Sequence, residues 1–118
     1  MTGHLRDRAT VVVMRDGRVL LARDAGQAHF NMPGGGIEEG EPPEDAAVRE
    51  LREETGLTAT RMERLFVWES SIMRHHVFRA ETAEEPRTGG EVVELRWWDG
   101  EEGLLMNLHV EAILERLQ

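Results

Sequence analysis

Cysteine is absent from the 118 residues of this sequence, which excludes disulfide bonds and thiol catalysis. Basic residues are few: 14 Lys and Arg stand against 23 Asp and Glu, giving a formal net charge of −9. Affinity for a phosphate backbone comes mostly from clustered Lys and Arg, so this balance argues against a nucleic acid polymer as a partner. A small nucleotide remains compatible with the charge if a metal ion binds with it.

Long apolar segments are also missing. No run approaches the about 18 residues of a transmembrane helix, and residues 1–8 are polar and lack the apolar centre of a signal peptide. We therefore expect a soluble, cytoplasmic protein with no membrane partner. The length is enough for one domain, residues 1–118, with a single hydrophobic core.

Alternating apolar residues and turn signals predict a sheet. The clearest signal is Asp16-Gly17, a two-residue turn that joins strands expected at 9–15 and 19–23. The same alternation predicts further strands at 58–68, 72–80 and 92–98, with a short extended piece at 30–32. A closing helix is expected at 104–117, with one apolar stripe formed by Met106, Val110, Ile113 and Leu117.

Acidic residues are concentrated in residues 35–57, GGIEEGEPPEDAAVRELREETGL. Pro42 and Pro43 suit the start of a helix, and Gly56 is a candidate C-cap at its end. Residues 33–36, which lie before this helix, are predicted to form a loop, since their glycines favour neither helix nor central strand. The helix would pack on the sheet through an apolar stripe of Ala47, Val48 and Leu51.

The opposite face of this helix carries Glu50, Glu53 and Glu54 within an arc of about 100°. Carboxylates about 4 Å apart repel by roughly 1 kcal/mol in water and by about 4 kcal/mol near a partly desolvated surface. A hard divalent cation would reverse that repulsion, and Mg²⁺ takes one or two carboxylates together with waters and substrate phosphates. The alternative is an ordinary solvated face, on which Arg49 and Glu53 form an i, i+4 ion pair.

The spacing in this segment fits G-x5-E-x7-R-E-U-x-E-E-x-G-U, where U is aliphatic, at every fixed position. Gly35 and Glu41 begin the pattern, and residues 49–57 complete it. This is the Nudix box, so the chain resembles the Nudix hydrolases and, among them, the MutT-like members. The resemblance implies a fold of the α/β class, in which a mixed sheet is covered by helices on both faces, the Nudix α/β/α sandwich.

In that family the box binds Mg²⁺ or Mn²⁺, which the resemblance therefore implies as the cofactor. Arg49 is expected to orient the carboxylates, and Glu41 either completes the outer shell of the metal or pairs with Arg49. The general base would be Glu50 or a carboxylate from a later loop. Carried over to this sequence, the metal ligands are Gly35, through its carbonyl group, Glu50, Glu53 and Glu54.

A further acidic residue from the loop before the last strand often joins the site in this family. Glu91 lies at the matching distance before Trp97, and Glu94 is its competitor; each could equally be a solvated residue. The adjacent His75 and His76 point to opposite faces of a strand and cannot easily share one metal ion. They are therefore expected to be structural or, at most, to line the cleft.

The family's substrates are nucleoside diphosphates linked to another moiety, so the expected partner is a small nucleotide. Arg23 could contact its phosphate or ribose, or form a surface ion pair. Asn107 lies where MutT-like members carry an Asn that reads a purine edge, although it could simply be a residue at the end of a helix. Candidate stacking surfaces for the base, which could also be core residues, are Phe30, Met32, Trp68 and Phe78.

The resemblance thus implies hydrolysis of a purine nucleoside triphosphate, normal or oxidised, to monophosphate and pyrophosphate. Nucleotide sugars, ADP-ribose and dinucleoside polyphosphates are alternative substrates. A module that binds nucleotides without turnover is a second kind of function, but it would not need all three glutamates. A structural protein with an acidic helix is a third, and it predicts no dependence on metal.

Overall fold

The computed structural model describes residues 5–118, which form six strands and two helices. Neither helix in that range is long and apolar enough to cross a membrane. In chain order the elements are β1 (Arg6–Arg15), β2 (Arg18–Asp24), β3 (Gly34–Gly36), α1 (Pro43–Thr55), β4 (Arg61–Glu69), β5 (Met73–Glu81), β6 (Val92–Trp98) and α2 (Leu108–Leu117).

The strands form a mixed sheet in the order β4-β5-β1-β2-β6, with β3 paired to β1. β1 runs parallel to β5 along eight residue pairs, and the other neighbours are antiparallel. The predicted hairpin turn is confirmed, because Asp16 and Gly17 have φ values of 52° and 76°, the left-handed conformation that a tight hairpin turn requires.

The sheet opens between β1 and β2. These strands pair only next to their turn, at Met14 with Val19 and Arg15 with Arg18. Farther along, residues 31–36 lie between them, since Asn31 pairs with Ala22 and the Val11 N–H donates to the Pro33 carbonyl at 2.8 Å. The opening places a glycine strand, β3, in the middle of the fold.

The prediction of a loop at residues 33–36 is therefore wrong for Gly34–Gly36, which pairs with β1. The physical reason is the close approach that glycine permits. A Cβ atom on Gly34 would overlap the backbone carbonyl of Ala9, and Gly34 has a φ of 152°. A residue with a side chain could not lie this near β1.

Helices cover both faces of the sheet, which confirms the predicted α/β/α arrangement. Successive residues of β1 alternate between two clusters: Val11 and Val13 pack with the residues of α1, and Val12 packs with those of α2. The cluster on α1 includes Leu51 of the helix itself, and the cluster on α2 includes Ile113.

Helix α1 begins at Pro43, after Pro42 in the N-cap position, and ends at Thr55. The next residue, Gly56, has a φ of 71°, which confirms it as the C-cap. The predicted apolar stripe is correct for Ala47 and Leu51 but not for Val48, which is 40% exposed. Val48 lies a further 100° round the helix from Ala47, so the buried stripe continues instead through Ala46.

Boundaries shift where long-range pairing replaces local structure. The last helix begins at Leu108 rather than 104, because the Phe30 N–H donates to the Leu105 carbonyl at 2.8 Å and the Asn107 N–H donates to the Phe30 carbonyl at 3.0 Å. Those bonds make an isolated bridge between Phe30 and Met106 and hold residues 105–107 outside the helix. The predicted stripe on α2 is buried only at Val110 and Ile113, since Met106 precedes the helix and Leu117 is exposed. β4 begins at Arg61 rather than 58.

Candidate active site

A cleft of about 650 Å³ lies where the sheet opens. Its lining falls into two groups of side chains. The charged group consists of Arg8, Asp24, Glu50 and Glu54, beside the backbone of Gly34 and Gly35. The second group is mainly aromatic, amide and apolar, and its members include Asn31, Met32, Trp68, His75, Asn107 and His109.

Glu54 is one of the two carboxylates of α1 that line this cleft. Its Oε1 atom accepts a hydrogen bond from the Gly34 N–H at 2.9 Å. Burial raises the pKa of Glu54 to about 7, and the negative charges of Asp24 and Glu50 add to the rise, while Arg8 opposes it. A carboxylate so destabilised by burial is suited to binding a cation.

Glu50 lies directly against Gly35. A Cβ atom on Gly35 would overlap the carboxyl group of Glu50, so only glycine leaves room for that group here. The Oε1 atom of Glu50 accepts a hydrogen bond from Arg49 Nη1 at 2.8 Å. Since Glu50 also lines the cleft, Arg49 fixes one oxygen of a carboxylate that faces the site.

Arg49 is the centre of an ion-pair cluster beside the cleft. Its guanidinium holds both oxygens of Glu41 at 2.8 Å, donates to the Gly36 carbonyl at 3.2 Å and reaches Glu53 at 3.5 Å. These contacts raise the pKa of Arg49 and lower the pKa of Glu41 to about 2. Glu41 therefore pairs with Arg49, one of the two roles considered for it, and the contacts of Arg49 fit the role of orienting carboxylates.

The oxygen donors of the cleft fit a hard divalent cation in part. Glu50 and Glu54 line it together, next to the Gly35 backbone, and one or two carboxylates are what Mg²⁺ usually takes from a protein. Glu53 does not join them, because its side chain is 55% exposed and turned toward Arg49. Within residues 5–118, no three His, Asp or Glu side chains converge closely enough to hold a metal ion.

Other sequence candidates lie away from the cleft. Arg23 forms an ion pair with Glu94 at 3.0 Å and also donates to the Gln27 carbonyl at 3.0 Å. The second oxygen of Glu94, Oε2, accepts a hydrogen bond from Arg96 Nη2 at 2.6 Å. Glu91 is exposed and does not line the cleft, although its backbone carbonyl accepts from the Ala25 N–H at 2.9 Å. Neither acidic candidate from this region reaches the charged group.

The candidates for contact with a base divide between cleft and core. Trp68 and Asn107 line the cleft, whereas Phe30 and Phe78 are buried in the two core clusters. Met32 lines the cleft but also belongs to the core cluster on α2 and is only 1% exposed. Asn107 occupies the N-cap position of α2 but makes no capping hydrogen bond. Its amide instead donates to the side-chain oxygen of Asn31.

The cleft residues that were missed from the sequence include Arg8, Asp24, Asn31 and His109. The strand pattern could not have found Asp24, because neighbouring strand residues face opposite sides and the candidate was Arg23. Of the two histidines, His75 lines the cleft, and His76 lies on the other face, where it contacts Asp7 at 2.8 Å. The expectation that they point to opposite faces is confirmed.

Comparisons with known proteins agree with this architecture. The chain is 36% identical over 98 residues to the oxidized purine nucleoside triphosphate hydrolase of Danio rerio, an alignment that covers 75% of the chain and 63% of that relative. It is 51% identical over 47 residues to the RNA pyrophosphohydrolase of Aeromonas hydrophila, covering 40% of the chain and 27% of that relative. The chain therefore spans less than two thirds of either protein.

Among solved structures, a MutT NUDIX hydrolase from Burkholderia pseudomallei superimposes with a TM-score of 0.85 at 25% identity, covering 98% of this chain and all of the other. The sequence also matches the NUDIX domain family over residues 4–115, which includes the complete box and both sides of the cleft. By motif, fold and this match along nearly its whole length, the chain belongs to the Nudix hydrolase family.

Proposed function

We propose that this protein hydrolyses a phosphoric anhydride bond in a nucleoside diphosphate derivative, with Mg²⁺ or Mn²⁺ as cofactor. The observation that carries the proposal is that one cleft brings Glu50 and Glu54 of the box next to a group of aromatic and amide side chains. The charged group suits a metal-bound diphosphate, and the second group suits a base.

The preferred substrate is a purine nucleoside triphosphate, normal or oxidised, cleaved to monophosphate and pyrophosphate. The name of the Danio rerio relative supports this choice. The cleft supports it too, since Trp68 offers a ring for stacking and the paired amides of Asn31 and Asn107 offer hydrogen bonds to a base edge. A net charge of −9 disfavours a long polynucleotide, even though one relative acts on RNA by its name.

Four charged side chains of the site have separate roles in this reaction. Glu54 and Glu50 would hold the cation, with the Gly35 carbonyl beside them. When bound, the cation supplies neutralisation of phosphate charge and acidification of water. Arg49 fixes Glu50 Oε1, which leaves Oε2 without a hydrogen-bond partner among the described residues and free to take a proton from the attacking water. Arg8 adds a positive charge to the cleft, where it can offset charge on the phosphates.

A substrate panel tests the proposal. It would contain 8-oxo-dGTP, GTP, ATP and CTP, together with ADP-ribose, a nucleotide sugar, a dinucleoside tetraphosphate and an RNA with a 5′-triphosphate. We expect metal-dependent release of pyrophosphate from purine triphosphates, and loss of about 100-fold or more in kcat for Glu54→Gln with the fold retained.

The result with each class of compound tests a different part of the proposal. Turnover confined to ADP-ribose, nucleotide sugars or dinucleoside polyphosphates would keep the family chemistry and replace the substrate. No turnover with any compound, combined with tight nucleotide binding, would replace the enzyme with a binding module. Equal rates with metal and with EDTA would contradict the role given to Glu50 and Glu54.

A further inference from the structure

Two buried histidines form part of the cleft and have no role in the hydrolysis described above. His75 of β5 and His109 of α2 are 4% and 8% exposed, and their rings stack with 4.5 Å between centroids and 27° between planes. Both line the cleft, and Trp68 packs against His75 with its ring centroid 5.6 Å away. Buried imidazoles at a binding surface present specific donors or acceptors, so their proton positions matter.

A chain of hydrogen bonds fixes the proton on His75. Arg8 Nη1, which can only donate, lies 2.7 Å from the hydroxyl oxygen of Thr10, so that oxygen accepts. Thr10 Oγ1 lies 2.8 Å from His75 Nδ1, and its hydroxyl has no other acceptor among residues 5–118, so we assign the hydroxyl proton to the bond with Nδ1. Because Nδ1 accepts, a neutral His75 carries its proton on Nε2.

A backbone amide fixes the proton on His109 in the same way. The Met32 N–H donates to His109 Nε2 at 3.4 Å, so Nε2 accepts and the ring proton lies on Nδ1. Both rings are neutral near pH 7, since burial, with help from the charge of Arg8, lowers the pKa of His75 to about 4 and of His109 to about 3. Each ring therefore has one N–H donor left.

Those two donors open into the cleft. Within residues 5–118, neither His75 Nε2 nor His109 Nδ1 has a hydrogen-bond partner, yet no buried side-chain nitrogen or oxygen lacks one. The two atoms must therefore reach accessible surface, and the cleft is the surface that both residues line. A metal ion would not bind there, because it needs the lone pair of a ring nitrogen and the free nitrogens carry protons.

We propose that His75 and His109 form a donor pair that selects a base with two adjacent acceptor atoms, a 6-oxopurine such as guanine. Guanine presents N7 and O6 as acceptors on one edge, whereas adenine presents N7 beside an amino donor. A fixed N–H facing that amino group would leave two donors opposed, and a site built around a hydrogen bond rejects the analogue that lacks its partner. Arg8 and Thr10 act as positioning residues that keep the His75 proton on the cleft side.

This inference rests on the proposed function and deepens it, and its test uses ratios of kcat/KM for GTP, ATP and 7-deaza-GTP, which lacks the N7 acceptor. In the unmodified protein we expect GTP to be preferred over both analogues. His75→Leu and His109→Leu remove one donor each and should lower the GTP to ATP ratio by about tenfold, the size of one hydrogen bond.

Conservative variants separate recognition from packing. His75→Gln and His109→Asn place an amide N–H near the positions of the lost Nε2 and Nδ1 donors, so they should restore most of the ratio. Thr10→Val removes the hydroxyl that fixes the His75 proton and should lower the GTP to ATP ratio. His76→Gln, on the opposite face, is the matched control and should leave the ratio unchanged.

The outcomes distinguish this inference from the proposed function. If ATP and GTP are both hydrolysed but the leucine variants lower both rates equally, the histidines are merely structural and the inference fails alone. If either leucine variant does not fold, equal turnover of GTP and 7-deaza-GTP by the unmodified protein overturns the inference by itself. If no nucleotide is hydrolysed, metal-free equilibrium binding of GTP and ATP decides it, and equal affinities overturn it.

Discussion

Glu54 of α1 accepts a hydrogen bond from the backbone N–H of Gly34 in β3, with 2.9 Å between oxygen and nitrogen. This bond ties the acidic helix to the strand that fills the opening in the sheet. It favours the ionised carboxylate, but burial outweighs it, and the pKa of Glu54 is raised from 4.5 to about 7. The acidic helix is thus held in place by a group whose charge depends on pH.

The raised pKa predicts a specific pH dependence of stability without metal. The folded chain binds the proton of Glu54 more tightly than the unfolded chain does, so this stabilisation is complete below pH 4.5 and is lost as the pH rises through about 7. Urea unfolding of the unmodified protein and of Glu54→Gln in EDTA, at pH 5 and pH 8, measures it. The difference between the two proteins should change by about 1–3 kcal/mol across that range.

Metal affinity should depend on pH in the opposite direction. A carboxylate must be ionised to bind a cation, so Mg²⁺ or Mn²⁺ should bind more tightly above pH 7 and should release a proton when it binds below pH 7. Calorimetry in buffers of different ionisation enthalpy counts that proton. Binding of the same strength at pH 6 and pH 8 would remove Glu54 from the metal site.

Gly35 and Gly36 offer a matched pair of substitutions at the site. A Cβ on Gly35 would overlap the Glu50 carboxyl group, whereas a Cβ on Gly36 would meet no atom within 4 Å. Because the Glu50 side chain can move, Gly35→Ala should cost little stability but displace one carboxylate of the site. We expect metal affinity to fall by about 10- to 100-fold in Gly35→Ala and to be unchanged in Gly36→Ala, as measured by titration with Mn²⁺.

Arg49 and Glu41 should act as one unit in catalysis. Arg49 binds both oxygens of Glu41 and one oxygen of Glu50, a planar geometry that lysine cannot reproduce. Arg49→Lys and Glu41→Gln should each lower kcat by about 10- to 100-fold, with a smaller change in KM. The double variant should be little worse than either one, because both changes release the same Glu50 carboxylate. Fully multiplicative losses would show that the two residues act separately.

The side chains of Asn31 and Asn107 are expected to form hydrogen bonds with the base of the nucleotide. Their side-chain amides contact each other although they are 76 residues apart, and both line the cleft. Asn107→Ala should therefore change the ratio of purine to pyrimidine turnover by about fivefold, the effect of one lost hydrogen bond. An unchanged ratio, with stability also unchanged, would leave Asn107 as a simple residue at the start of α2.

The parts of this fold that follow local rules could be predicted from the sequence. The Asp16-Gly17 turn and the Gly56 cap need only the backbone freedom of their own residues, and the spacing of the box carries its identity. Val48 shows the limit of such rules. This apolar residue lies at the border of the helical stripe and stays exposed, because Ala46 and Ala47 are the helix residues that pack on the sheet.

The second group of cleft residues could not be predicted from the sequence, because segments that are distant in the chain form it. Thr10 meets His75 across 65 residues, and Arg8 reaches the Met32 carbonyl across 24. Those contacts depend on the opening between β1 and β2, and no local sequence pattern predicts that opening. The start of α2 was misplaced for the same reason, since the bonds to Phe30 compete with the first turn of the helix.

The loop before β6 fixes the end of α1, and Gly89 is the residue that makes this packing feasible. Its N–H donates to the Glu54 carbonyl at 3.1 Å, the neighbouring Arg87 N–H donates to the Thr55 carbonyl at 2.8 Å, and a Cβ on Gly89 would overlap the Glu53 carbonyl. Since a backbone atom cannot move away cheaply, Gly89→Ala should destabilise the fold by about 1–3 kcal/mol. Gly103→Ala is the control, because a Cβ there meets nothing within 4 Å.

The same substitution also tests whether this loop positions the site. If the carbonyls of Glu53 and Glu54 shift when Gly89 is replaced, the Glu54 carboxylate shifts with the end of its helix. Gly89→Ala should then weaken Mn²⁺ binding at temperatures where the protein is still folded, whereas Gly103→Ala should not. Lower stability with unaltered Mn²⁺ affinity would limit the loop to supporting the helix, and would place the control of Glu54 entirely in its bond to Gly34.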